Sequence, residues 1–239
     1  MGAVVALVAV VAFGRLMASE RWPRLEPVRE RWLRFEPRAR AWVRAAPGTY
    51  VYLFVLLITT WVLRTSSGTI ARQLVLERST NLHQLARDPI RVLMASAFWV
   101  SSAWELLAWL GLFTLVVAPV EHWLGTARTA AAFFAGHLGA TLLTAAALWA
   151  AIRADLVASS LTNAVDVGAS YGFLAVAGLL TYRLEPRRRP VYAALLAALV
   201  LAVFALDPGV AGFGHVLALA IGFACYPLAR PFRHGRPLH

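Results

Sequence analysis

The chain has 239 residues, 60% of them hydrophobic, and a net charge of +11. An ordinary soluble domain is less apolar. The apolar residues also gather in blocks of about 17 or more, enough to cross a hydrocarbon core about 30 Å thick, so composition excludes a soluble enzyme and predicts an all-α polytopic membrane protein. All 23 basic residues are arginine and lie between the apolar blocks rather than in one exposed patch, which argues against a nucleic-acid partner.

The first block, 1–18, is an apolar stretch interrupted by Arg15. It lacks the basic start and small-residue cleavage site of a signal peptide, and it reads as an N-terminal membrane helix. In segment 19–47, "ERWPRLEP" (Glu20–Pro27) is echoed by "ERWLRFEP" (Glu30–Pro37). Trp22, Leu25, Val28, Trp32, Phe35, Ala39 and Trp42 recur at steps of three or four with arginines between them. That pattern predicts a basic amphipathic helix in the headgroup layer, broken or kinked at Pro27 and Pro37; a solvated linker is the competing reading.

The membrane domain spans 48–229, with six core spans expected near Tyr50–Leu63, Val92–Val117, Thr129–Ile152, Val165–Tyr182, Val191–Leu206 and Val210–Leu228. Between the first two, 64–91 is mixed and predicts one or two surface helices. A basic tail, 230–239, closes the chain. With segment 19–47 placed in the cytoplasm, sixteen arginines fall inside, six fall outside, and Arg15 lies within the first block. The excess of positive charge marks the cytoplasmic side and puts both ends of the six-span core there. The single cysteine, Cys225, allows no internal disulfide,. No phosphate-binding loop calls for a cofactor, and no ligand set gathers at one depth for a metal.

Two polar residues stand out. Ser170, in "DVGASYG" (Asp166–Gly172), and His215, in "GFGHVLALAIG" (Gly212–Gly222), fall at similar depths near the outer ends of the fourth and sixth spans. A serine hydroxyl becomes a nucleophile when an imidazole takes its proton, and ionisable groups within a membrane are functional candidates. Packing is the competing reading. Gly168 and Gly172 form a G-x-x-x-G step, and Ala218 with Gly222 a small-x-x-x-small step, of the kind that brings membrane helices together. Asp166 is read first as a helix cap and second as a partner for His215. Glu105, mid-span, is expected to face the bundle interior. His137 is read as packing or interhelical hydrogen bonding, nearer the cytoplasmic half. A transporter would need discontinuous inverted repeats, which are not evident.

Gly168-Ala169-Ser170 and His215 with Ala218 and Gly222 resemble the two motifs of the rhomboid family of intramembrane serine proteases. "DPIRVLMASAFW" (Asp88–Trp99) and "APVEHWLGTARTAAAFFAGHLGA" (Ala118–Ala140) resemble that family's entry to helix two and its connection to helix three. The resemblance covers roughly 50–228. It implies a rhomboid-like bundle of six core helices plus the N-terminal helix, and a Ser170–His215 dyad in which Ser170 attacks a membrane-anchored substrate and His215 is general base and then acid. The implied partners are the lipid bilayer and a transmembrane substrate or client, with a bacterial plasma membrane as the expected setting.

The departures fall at the oxyanion site. Where the family carries H-x-x-x-N on helix two, this chain has Glu105 and Trp109, and Tyr171 replaces the usual glycine after the serine. An ionised Glu105 opposes a developing oxyanion, whereas backbone N–H groups or a protonated Glu105 would support one. The sequence therefore carries two readings: an intramembrane serine endopeptidase, or an inactive rhomboid-fold protein that binds transmembrane helices through the same cleft.

Overall fold

A computed structural model describes residues 26–100, 102–163 and 168–230, which form helices joined by turns, with no strand among them. The chain divides into two compact units, Met1–Pro47 and Gly48–His239. The expected N-terminal membrane helix, Asp166 and nearly all of the basic tail lie outside the described residues.

In the first unit, α1 (Glu26–Ala45) is one continuous helix. The expected break at Pro27 does not occur because Pro27 is the second helical residue, where an N–H has no intrahelical partner to lose. Pro37 also lies within the helix. Glu26 in the first turn and Arg44 in the last complement the helix dipole,, and Glu36 pairs with Arg40 one turn on,. Leu33, Phe35, Trp42 and Val43 are exposed.

The second unit begins on α2 (Pro47–Thr65), with proline at its first position,. Segment 64–91, expected to hold one or two surface helices, carries α3 (Gly68–Arg78), α4 (Leu82–Arg87) and the start of α5 (Pro89–Ser96). Side-chain caps from Ser67, Asn81 and Asp88 fix the three starts,.

The second expected span is corrected at both ends. After α5 the helix stops, and Ser102 caps a new one, α6 (Ala103–Leu112). It runs through a π-helical turn, Phe113–Val117, into α7 (Ala118–Leu124). The expected connection after Val117 is thus helical, and Gly125 alone separates α7 from α8 (Thr126–Arg153). Gly125 has φ +82°, a conformation that glycine adopts without steric cost.

The fourth expected span is likewise shorter. Gly168 has φ +132°, so the helix cannot extend back through it, and α9 runs Ser170–Leu180 with a 3₁₀ turn at Thr181–Arg183. Ser170 is the first residue of α9 rather than a residue one and a half turns inside. α10 (Arg189–Leu206), α11 (Val210–Ala224) and the short α12 (Tyr226–Ala229) complete the described chain.

Among the described residues, four helical stretches are long and apolar enough to cross a membrane: Pro47–Thr65, Ala103–Leu124, Thr126–Arg153 and Arg189–Leu206. α9 and α11 are apolar but shorter. α9 is buried along most of its length, as a central helix apolar all round should be. α10 buries only Val200 and exposes Leu195, Leu199, Leu201 and Leu206.

Close contact among α8, α9 and α11 rests on missing side chains. A Cβ at Gly136 would strike Ala175, one at Gly222 would strike the Ala175 backbone, and one at Gly178 would lie 3.1 Å from the Gly222 carbonyl carbon. Without hydrophobic drive between helices in lipid, such backbone approach supplies the packing. The expected Gly168–Gly172 step is not used this way: Gly168 is outside the helix, and Gly172 faces the Phe133 ring. Gly222 does serve as expected, with Ala218 fully buried beside it.

Candidate functional site

α9 and α11 run side by side in the same direction, as the contacts show. Tyr171 meets Gly214 at one end, and Gly178 meets Leu219 and Gly222 at the other. The stripe of α9 that faces α8 and α11 is therefore Tyr171, Ala175 and Gly178, at the spacing of one helical face. Each residue turns the helix by about 100°, so Ser170 heads an adjacent face.

Tyr171 is 2% exposed and fills the space above Gly214, where a Cβ would fall on its phenol. Its ring meets His215 edge-on at 5.3 Å between centroids and His137 at 6.4 Å on the other side. His137 in turn lies 6.5 Å from Phe133, nearly parallel to it. A file of rings thus crosses the bundle from α8 through α9 to α11. Ser170 is half-buried at the head of α9, and no hydrogen bond joins its hydroxyl to His215 or to any other described residue. Both expected dyad residues stand at this end of neighbouring helices, and the Tyr171 ring packs edge-on against His215.

His137 forms the interhelical bond expected of it. Its Nε2 lies 3.0 Å from the Leu93 carbonyl oxygen and 3.1 Å from Ser96 Oγ. A carbonyl only accepts, so Nε2 carries the proton and donates to Leu93. One ring away from Tyr171, His137 shares the level of the site. The same α5 end anchors the chain before α9, because Gly168 N–H donates to the Ser96 carbonyl at 3.0 Å.

On the other side of that anchor stands α6. Its Ser102 cap takes the Glu105 N–H at 3.1 Å, and the Glu105 carboxylate accepts from the Trp109 indole at 3.3 Å. Trp109 packs edge-on against Phe113 and Phe173. A Cβ at Gly168 would lie 3.9 Å from Glu105 Oε1. Glu105 is therefore beside the turn leading to Ser170, with the Trp109 indole bonded to it.

Sequence reasoning placed the second glutamate of this span, Glu121, only as a position in the motif Ala118–Ala140 and gave it no role. Glu121, 2% exposed, accepts from Gly48 N and Thr49 N, both at 2.7 Å, from Thr49 Oγ1 at 2.5 Å and from Thr126 Oγ1 at 2.7 Å. The two backbone donors are orphan N–H groups of the first turn of α2, so the carboxylate caps that helix at its positive end. Its partners lie 72 and 73 residues away, which no local pattern announces. Tyr171 carried a readable signal: the Tyr171/Ala175/Gly178 spacing opposite a glycine next to His215.

At the opposite end of the bundle, arginines hold helix termini. Arg183 donates to the Pro119 carbonyl at 2.8 Å, Arg128 to that of Leu228 at 3.3 Å and Arg189 to that of Leu184 at 3.0 Å. Ser170 lies about 15 Å from this end, ten residues up α9 at about 1.5 Å each. Among the described residues no three His, Cys, Asp or Glu side chains gather to hold a metal.

A family model described as rhomboid-like protein matches residues 41–235. The chain belongs to the rhomboid-like protein family. No curated protein and no solved structure matches it. As a rhomboid-like protein it is an integral membrane protein whose environment is the lipid bilayer. In this rhomboid-like protein the start of α6, the Ser170 turn and the His215-bearing α11 converge at one end of α9, while Arg128, Arg183 and Arg189 lie at the other.

Proposed function

We propose that this rhomboid-like protein holds membrane-spanning segments of other proteins at the head of α9 without cutting them. The observation that carries the reading is the pairing of His215 with Tyr171 in place of Ser170. Serine is a poor nucleophile unless a base within hydrogen-bond reach takes its proton, and Tyr171 occupies the face from which His215 would act. Glu105 strengthens the argument. Oxyanion stabilisation needs donors aimed at developing negative charge, and the Trp109 indole beside this turn is already bonded to Glu105.

The competing reading, proteolysis by Ser170 with His215 as base, draws support from one feature. Ala169 provides no side-chain cap, and Ser170 stands in the first turn of α9, where backbone N–H groups point at a developing anion. The two readings share a topology. α9 with its 3₁₀ extension and α11 with α12 serve as the fourth and sixth core spans, and the arginine end faces the cytoplasm of a bacterial cell. In that arrangement Ser170 lies toward the outer face.

The test is a photo-crosslinking residue at position 170 in protein reconstituted in nanodiscs with defined single-span peptides. The proposal expects adducts of full-length peptide and no cleavage product from the wild-type chain. Cleaved peptide that disappears in Ser170→Ala establishes the competing reading. Absence of adducts with every peptide defeats the binding role.

A further inference from the structure

α2 packs on the core through Leu53 and Leu56 and is fixed near its start by two polar anchors. Its first turn is bolted to Glu121, as described above. One turn further on, Tyr52 inserts among Phe98, Phe113 and Phe133, with ring centroids 5.1–5.2 Å apart, and its hydroxyl donates to the Ala97 carbonyl. Around these anchors, between α2 and α8, lies a cavity of about 350 Å³. Small side chains account for it: Gly48, Val51 and Val55 on α2 face Ala130 on α8, with Phe133 and Phe134 forming the deeper wall. Val51, 63% exposed, forms the outward rim.

The chemistry of the lining limits what can fill it. Thr49 and Thr126 both donate to Glu121, Thr129 Oγ1 donates to the Gly125 carbonyl at 3.0 Å, and Tyr52 donates to Ala97. A buried water needs two to four polar partners, and these groups are already engaged. A transmembrane helix is too large: one turn, about 10 Å across and about 5.4 Å long, exceeds the space. An empty cavity would leave its wall without contacts on one side. Both walls belong to helices long and apolar enough to cross a bilayer, and the rim at Val51 and Val55 is apolar.

We infer that the α2–α8 cavity is a binding site for a single hydrocarbon chain, the acyl tail of a bilayer phospholipid. The chain enters past Val51 and lies against Val55, Ala130 and Phe134, stopping short of the Glu121 cap. This site is separate from the head of α9, since Ser170, Tyr171 and His215 do not line it, and it stands whether or not the chain cleaves anything.

The test uses the full chain in nanodiscs of phosphatidylcholine and phosphatidylglycerol doped with a phospholipid that carries a diazirine within one acyl tail. After irradiation and digestion, label should appear on 51–55 and 130–134, in addition to the lipid-facing residues of α10. Ala130→Phe fills the cavity and should abolish the first two while leaving α10 labelled. Val55→Trp, on the opposite wall, should give the same loss and replaces the first variant if that one fails to fold. Wild-type label confined to outward faces such as α10, or label on 51–55 and 130–134 that survives both fillings, would overturn the inference.

Discussion

Glu121 and Glu105 stand on one apolar span and are held in contrasting ways. Glu121 is buried, and it collects four hydrogen bonds from the first turn of α2 and from Thr126. Glu105 is half-buried, shares its oxygen with the Trp109 indole and borders the turn before Ser170. A carboxylate in a membrane helix is costly unless the fold answers it. At Glu121 the answer is structural, because the N–H groups it takes need an acceptor regardless. At Glu105 the carboxylate accepts from the Trp109 indole and borders the turn before Ser170, so its position bears on the proposed site.

The contrast can be broken most severely at Glu121. Glu121→Ala removes the acceptor of four donors and should cost about 3 kcal/mol or more, read as a lowered melting midpoint in mild detergent. Glu121→Gln, with one acceptor oxygen, should cost less than the alanine variant. A destabilisation by Glu105→Ala equal to that by Glu121→Ala would erase the distinction.

Next in size is the helix contact that sets the level of the site. Gly222→Ala drives a methyl into the Ala175 backbone, which cannot move aside as a flexible side chain can. A loss of about 2–3 kcal/mol is expected, measured by thermal unfolding. Gly214→Ala should cost less, about 1–2 kcal/mol, because the displaced group is the Tyr171 side chain. Its diagnostic effect is on His215, whose imidazole NMR signals should shift as the tyrosine ring leaves them. Unchanged signals would show that Tyr171 does not hold His215. The smallest effects belong to Ser170→Ala and Glu105→Gln, each expected within about 0.5 kcal/mol of wild type.

The membrane class and most of the spans were legible because hydrophobic blocks announce themselves by length. α10 needed nothing else. The second span was misjudged because apolar residues continue from Val92 to Val100, whereas the helix boundary is set by Ser102, a cap that hydropathy averaging passes over. The neighbourhood of Ser170 and His215 was legible in the order and spacing of two motifs. The facing direction was not, since a shift of one residue turns a side chain by about 100°. Only the contact stripe of α9 against α11 decides that Tyr171, and not Ser170, meets the imidazole. Glu121 appeared in the sequence as a motif position, but its role depends on donors more than 70 residues away.

The central claim is that Ser170 is not an activated nucleophile. The most direct test is reaction of the purified, reconstituted wild-type chain with a serine-directed fluorophosphonate, alongside an active rhomboid protease. The account predicts no adduct on Ser170 under conditions that label the protease. An adduct mapped to Ser170 and abolished by Ser170→Ala would contradict it.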